Sequence, residues 1–216
     1  ITILDSAFSM TSILLDITTF AYPTVGSEDF ECTVWDKNDM STKISFTVTT
    51  EPAAPDITTY EDKILGAQAS VTGSSFASAD GTVYTLDQAK INSDKIDFLY
   101  FYGDPPNKAT LAAPNDVDAA TAFPGPNGLS FWTVKNPTKF KTTTLSSTDF
   151  DAIQSSSQLV TAATLPTQPT LTKANDLSVG DVLAFKTAGS YFGLIRVDAI
   201  TGANNAGTIQ ITVKVQ

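Results

Sequence analysis

The side chains that could do chemistry in this chain are defined first by an absence: its 216 residues contain no histidine. Ser-His-Asp and Cys-His nucleophilic catalysis, the helical zinc-protease motif and every His-ligated metal site are therefore excluded. Glutamate is confined to Glu28, Glu31, Glu51 and Glu61. Hydrolysis of a glycoside needs two opposed carboxylates, one of them held protonated, so beyond position 61 only aspartates are left for it. Asp97 and Asp198 are the pair to consider, with Asp104 and Asp181 as further members. The plainer expectation is that one of them serves Arg196, the lone guanidinium, and that the chain is not an enzyme. Asp36, Asn38 and Asp39 crowd oxygens into one short stretch. Calcium loops place such oxygens at alternating positions and close with a distal glutamate; here Met40 takes the next alternating place and no glutamate follows. Turn formation is the expectation for this stretch, and neither a metal nor a cofactor is expected. Neither Gly73-Ser74-Ser75 nor Gly202-Ala203-Asn204 opens a helix carrying Lys-Ser/Thr, so no phosphate loop is read.

Aromatic side chains carry the remaining functional signal. Tyr100, Phe101, Tyr102, Phe131, Trp132, Tyr191 and Phe192 fall in the later part of the chain. Exposed Trp and Tyr can serve β domains as stacking platforms for sugars, while amides and carboxylates bond the hydroxyls. Trp132, Tyr102 and Tyr191 are the candidate binding residues. Phe131 and Trp132 are adjacent, and neighbouring residues of a strand point to opposite faces, so one of the two rings is expected outside the core. Cys32, the single cysteine, forms no intramolecular disulfide, and its place in an alternating run predicts a small buried core residue.

Charge narrows the partners. The formal net charge is −10, with 13 Lys and Arg against 23 Asp and Glu. Neutralising phosphates takes clustered cations, so nucleic acid is not an expected partner, and an anionic membrane surface is disfavoured for the same reason. No run approaches the roughly 18 apolar residues of a bilayer span, and no basic segment precedes an apolar stretch as in a signal peptide. The chain starts at Ile1 in a strand-like run, as a mature or truncated product would.

The elements that must position these residues are mostly strands. Asp29–Trp35 and Thr42–Thr50 alternate apolar with polar residues, the period of a half-buried strand, and Asp36-Lys37-Asn38-Asp39 between them predicts a hairpin. Leu14–Phe20 reads as an earlier strand. Glu51-Pro52-Ala53-Ala54-Pro55-Asp56 favours an extended connector, which divides the chain into a module over 1–51, a linker over 52–56 and a main domain over 57–216. In the main domain Thr85 and Gln88 have the spacing of a capping box, predicting a helix over Leu86–Ser93. The aromatic run to Tyr102 predicts a buried strand. Thr148-Asp149 caps a short helix to Gln154, and another helical turn is expected within Pro114–Phe123. Val182–Lys186, Tyr191–Ile200 and Thr208–Val215 predict a sequential three-strand meander, with Ile209, Ile211, Val213 and Val215 on one face. The expected fold is a small Ig-like β module, with its first strands incomplete, followed by a larger β-sandwich-like domain with one to three short helices.

The stretch from Gly26 through Phe30, Cys32, Val34, Trp35 and Asp36 to Asn38, followed by Lys43–Thr49, resembles the last two strands of a bacterial Ig-like repeat. Phe30 stands where such a domain carries the tyrosine of its corner, two before Cys32, so neither that hydrogen bond nor the disulfide is present. The run Gly81–Lys90 followed by Ile96–Tyr100 resembles secreted or surface lipoproteins of Bacteroidetes-type bacteria, which place an Ig-like module ahead of a C-terminal β domain. The resemblance implies a secreted, periplasmic or cell-surface protein, lipid-anchored through its precursor. The resemblance itself implies no particular activity; the aromatic side chains are what suggest binding of a polysaccharide or other nutrient polymer. The alternative is a structural or adhesive module that contacts a surface protein. An aspartate-only hydrolase is the last alternative.

Overall fold

The structure is a computed structural model that describes residues 26–36, 38–50, 57–103 and 107–216. These fall into two compact units, one within residues 1–54 and one within 55–216. The expected strand over 14–20 and the linker over 52–56 lie outside the described residues.

The first unit contains an antiparallel hairpin, β1 (Gly26–Trp35) and β2 (Ser41–Thr50). Its register pairs Phe30 with Phe46 and Cys32 with Ile44, and the two phenylalanine rings stack at 5.3 Å. Because side chains alternate with period two, the opposite face collects polar pairs: Ser27 with Thr49, Thr47 donating to Asp29, and Lys43 bridging Glu31 at 2.8 Å. The turn is closed by Asp36, whose carboxylate accepts the backbone N–H groups of Asn38 and Met40 at 2.8 and 2.9 Å. That carboxylate thus acts as a turn former. Cys32 is half-buried, not a core residue as its alternation suggested, because Ile44, Phe46 and Val34 on the same face are themselves exposed.

The second unit is a sandwich of two five-stranded sheets. Its strands are β3 (Thr58–Gly66), β4 (Ser75–Ala77), β5 (Thr82–Tyr84), β6 (Phe98–Gly103), β7 (Lys108–Ala112), β8 (Lys139–Thr142), β9 (Lys173–Ala174), β10 (Val182–Lys186), β11 (Phe192–Thr201) and β12 (Thr208–Val215). One sheet runs β3-β12-β11-β10-β8, so the C-terminal meander is sequential; the other runs β5-β4-β6-β7-β9. Leu65, Phe140, Phe185, Ile195, Ile209, Ile211, Val213 and Val215 of the first sheet pack against Phe76, Phe98, Tyr100 and Leu111 of the second. Phe98 is the centre of that contact: its ring lies 4.9 Å from Phe76 in its own sheet, and 6.1 and 5.8 Å from Phe140 and Phe185 across the sandwich.

Each sheet also buries part of its outer face. Leu99, Phe101 and Ala112 pack beneath α1 (Leu86–Ile91), α2 (Val117–Ala122) and the 3-10 turn Leu129–Phe131. Val182, Ala184 and Leu194 pack beneath α3 (Ser147–Ala152) and α4 (Ser156–Thr164). Strands covered on both faces read as continuous apolar runs, which accounts for Phe98–Tyr102. The described residues form four short α-helices where one to three were expected, because α4 follows α3 after a break of three residues at 153–155. Every helix is started by its cap: Gln88 returns to the Thr85 N–H at 3.1 Å, Asp116 accepts from Asp118 and Ala119, and Ser146 and Ser155 accept from Asp149 and Gln158. Such caps, reciprocal in α1, α3 and α4, satisfy the orphan N–H groups that make helices this short costly. No helix among the described residues is long and apolar enough to cross a membrane.

Candidate functional site

Tyr191 is carried by the turn joining β10 to β11. Thr187 and Tyr191 close it with a 2.9 Å backbone bond, and the Thr187 hydroxyl accepts the Tyr191 N–H at 3.2 Å. Ser190 sits at φ +68°, a conformation L side chains adopt only at a cost. The Tyr191 ring lies over Gly189, where an added Cβ would stand 3.2 Å from it. The residue is 57% exposed, and the bonds of the turn set its backbone. Next to it, Lys186 lies 5.3 Å from the Phe192 ring, and Gln216 accepts the Phe192 N–H while donating to Ser156.

Phe131 and Trp132 separate as expected, though not by strand alternation. Leu129–Phe131 is a 3-10 turn, with three residues per turn, so residues three apart share a side. Leu129 and Trp132 therefore both point inward, and Phe131 points out at 61% exposure. Trp132 is only 5% exposed, and its indole N–H donates to the Asn127 carbonyl at 2.9 Å. As a surface platform Trp132 is thus replaced by its neighbour: it is a core anchor with its polar end satisfied. Lys90 braces the Phe131 ring at 5.6 Å while donating to the Pro126 carbonyl at 2.7 Å. The spacing of Leu129 and Trp132 is the sequence signal that could have singled out Phe131.

Tyr102 is half-buried at the end of β6 and packs against the sandwich core. The Gln68 side chain accepts its N–H at 3.0 Å and donates to its carbonyl at 2.7 Å, standing in for a neighbouring strand. Tyr102, Trp132 and Tyr191 therefore have three different environments: half-buried, buried and exposed.

The aspartates considered for catalysis serve separate partners. Asp97 is 8% exposed and accepts the N–H and hydroxyl of Ser78 at 2.8 and 2.5 Å. Burial pushes its carboxyl above the usual range, opposed by the Ser78 bonds. Asp198 bonds Arg196 at 2.6 Å and accepts from Thr212 at 2.6 Å, so it is the partner expected for the lone guanidinium. Asp181 accepts the Ser178 N–H at 2.8 Å within a turn, and Asp104 lies outside the described residues. Of the clefts in this unit, one of about 300 Å³ is lined by Gln68, Ser70, Thr72, Thr85, Leu86 and Phe123, and an open one of about 710 Å³ runs along α3 and α4. Neither contains Tyr191 or Phe131.

No family model and no curated protein matches the chain. Among solved structures it is similar to a DUF4466 family protein from Parabacteroides merdae, with 14% identity and a TM-score of 0.47 over 87% of this chain. The chain spans 61% of the length of that protein.

Proposed function

We propose that this chain is a non-catalytic, extracytoplasmic or cell-surface binding protein, anchored through a lipid in its precursor, that holds a glycan or similar nutrient polymer against exposed aromatic rings. The observation that supports this most is Tyr191, an exposed ring carried beside Gly189 by the tight turn that joins β10 to β11. Phe131, exposed and braced by Lys90, offers a second ring of the same kind. A ring on a backbone already held by its turn costs less ordering on binding than one on an open loop, which favours affinity. Affinity electrophoresis and calorimetry against a panel of soluble polysaccharides test the reading. Tyr191→Ala or Phe131→Ala should weaken binding about tenfold, about 1.4 kcal/mol, while Trp132 variants should act through stability. No retention on any polysaccharide, or binding indifferent to both ring deletions, would sink it.

The adhesive alternative is favoured by a different feature. The hairpin β1–β2 presents Val34, Ile44 and Phe46 at 55%, 65% and 48% exposure, and exposed apolar faces of this kind mark protein contacts. Self-association or capture of a surface protein that is lost on Ile44→Asp supports that alternative.

A further inference from the structure

Around the start of β7, three side chains from separate parts of the main domain converge. The Lys173 ammonium, on β9, donates to the Asn107 side-chain carbonyl at 3.0 Å and also contacts the Asp118 carboxylate, on α2. The Asn107 amide NH₂ faces the same carboxylate at 3.4 Å. A simple ion pair needs only Lys173 and Asp118; here an amide carbonyl stands beside the amine, with its nitrogen turned towards the carboxylate. The backbone holds this arrangement firmly. Ala112 pairs with Lys173 across β7–β9, the Asn107 carbonyl accepts the Asp176 N–H and the Thr110 hydroxyl, and Thr172 donates to Asp116 at 2.6 Å. Lys108, next to Asn107, is forced to φ +36°, a sparsely populated region for a residue with a side chain.

We propose that Lys173 and Asn107 form an intramolecular amide bond, with Asp118 as the proton carrier. Asp118 takes a proton from the Lys173 ammonium, and the freed amine lone pair adds to the Asn107 side-chain carbonyl carbon. The C–N bond to the Asn107 NH₂ then breaks as Asp118 returns that proton to the departing nitrogen. The attacking nitrogen gives up its second proton through the same carboxylate, and the leaving group departs as ammonium with Asp118 ionised again. Atoms and charge balance with no oxidant, metal or second substrate: lysine ammonium plus primary amide gives secondary amide plus ammonium ion. The Asp118 carboxylate is regenerated, and the chain loses the mass of one ammonia. Positioned general acid–base help of this kind is what an unactivated amide requires. Lys173 and Asp118 keep 28% and 37% side-chain exposure, and the ammonium beside it holds the Asp118 carboxyl below the usual range. The charged pair is therefore the resting state. The reaction proceeds through the minority of molecules whose proton has crossed, so it is slow and is drawn forward by loss of ammonia. The product would close a covalent loop across 66 positions in a chain whose single cysteine leaves it no internal disulfide.

The test is intact-mass spectrometry of the purified full chain, fresh and after prolonged incubation at growth temperature, followed by sequencing of a proteolytic digest. The expected result is a mass lower by one ammonia and a branched peptide joining Asn107 to Lys173. Asp118→Ala should keep the full mass with an unchanged circular dichroism spectrum, and Lys173→Arg should also keep it. A wild-type chain that retains its full mass after incubation, with Lys173 open to reductive methylation once denatured, overturns the proposal. So does loss of a water with the linkage at Asp118, because Asn107 is then not the acyl partner. A linkage that persists in Asp118→Ala removes Asp118 from the reaction.

Discussion

Lys214 offers the sharpest test of how the outer helices are held to the sandwich. Its side chain leaves the outer face of β12, is 5% exposed, and donates to the carbonyls of Phe150, Asp151 and Ile153 at 2.9, 3.3 and 2.7 Å. These carbonyls belong to the end of α3, where the last turn of a helix has no partners of its own. The ammonium also sits 4.9 Å from the Phe150 ring, with the Arg196 guanidinium at 5.0 Å from the same ring. Lys214→Met keeps the length and apolar stem but removes every donor. Leaving a buried acceptor unpaired costs about 1–3 kcal/mol. With the Asp151 bond long and some carbonyl relief through water, a total near 2–4 kcal/mol is expected. In a domain of this size that lowers Tm by roughly 5–15 °C, read by thermal and urea unfolding followed by circular dichroism. Burial holds the Lys214 amine below its ordinary value, so the unfolded chain keeps this proton to higher pH than the folded one. Wild-type stability should therefore gain on the variant as pH rises through the folded value towards the unfolded one. Replacing a buried charge by an apolar residue can instead be neutral or stabilising. A Lys214→Met chain that melts at or above the wild-type temperature would refute the reasoning, showing that desolvation of the ammonium outweighs its bonds.

Three further outcomes follow from the same packing. Phe98→Ala, at the aromatic junction of the two sheets, should cost about 3–5 kcal/mol in urea unfolding; a loss below about 1 kcal/mol would mean the junction collapses around the gap. The Asp97 carboxyl, raised by burial, stays protonated in the folded state above the pH at which the unfolded chain ionises. Wild-type stability should thus fall as pH rises between the two values, and Asp97→Asn should lose that fall, whereas Asp97→Ala should cost about 1–3 kcal/mol by stranding the Ser78 N–H. Gly193→Ala would place a Cβ 2.2 Å from the Phe185 ring, and the forced repacking should cost about 1–3 kcal/mol by calorimetry.

How much of this was legible in the sequence varies by element. The hairpin over 26–50, the three C-terminal strands and the capped start of α1 could all be read, because each is written in local terms: alternation, turn residues and a capping pair. The short helix α4 escaped, since Gln154-Ser155-Ser156-Ser157 looks like loop until Ser155 is seen capping against Gln158. The function of single residues was less legible. Strand alternation does not say which of Phe131 and Trp132 turns inward; only the 3-10 turn makes the spacing of Leu129 and Trp132 decisive, by placing both on one side.

By itself, the sequence determined the chemistry that is unavailable and the strand-dominated character of the chain, because composition and period-two alternation do not depend on distant partners. Tertiary structure alone decided that both sheets of the sandwich are partly covered on their outer faces, that Tyr191 and Phe131 are the exposed rings among the described residues of the second unit, and that Lys173, Asn107 and Asp118 meet. Those three residues lie up to 66 positions apart, and only the pairing of β7 with β9 and the placing of α2 bring them within reach. Local propensity can specify a strand or a cap, but the side of a strand that meets solvent depends on what folds over it.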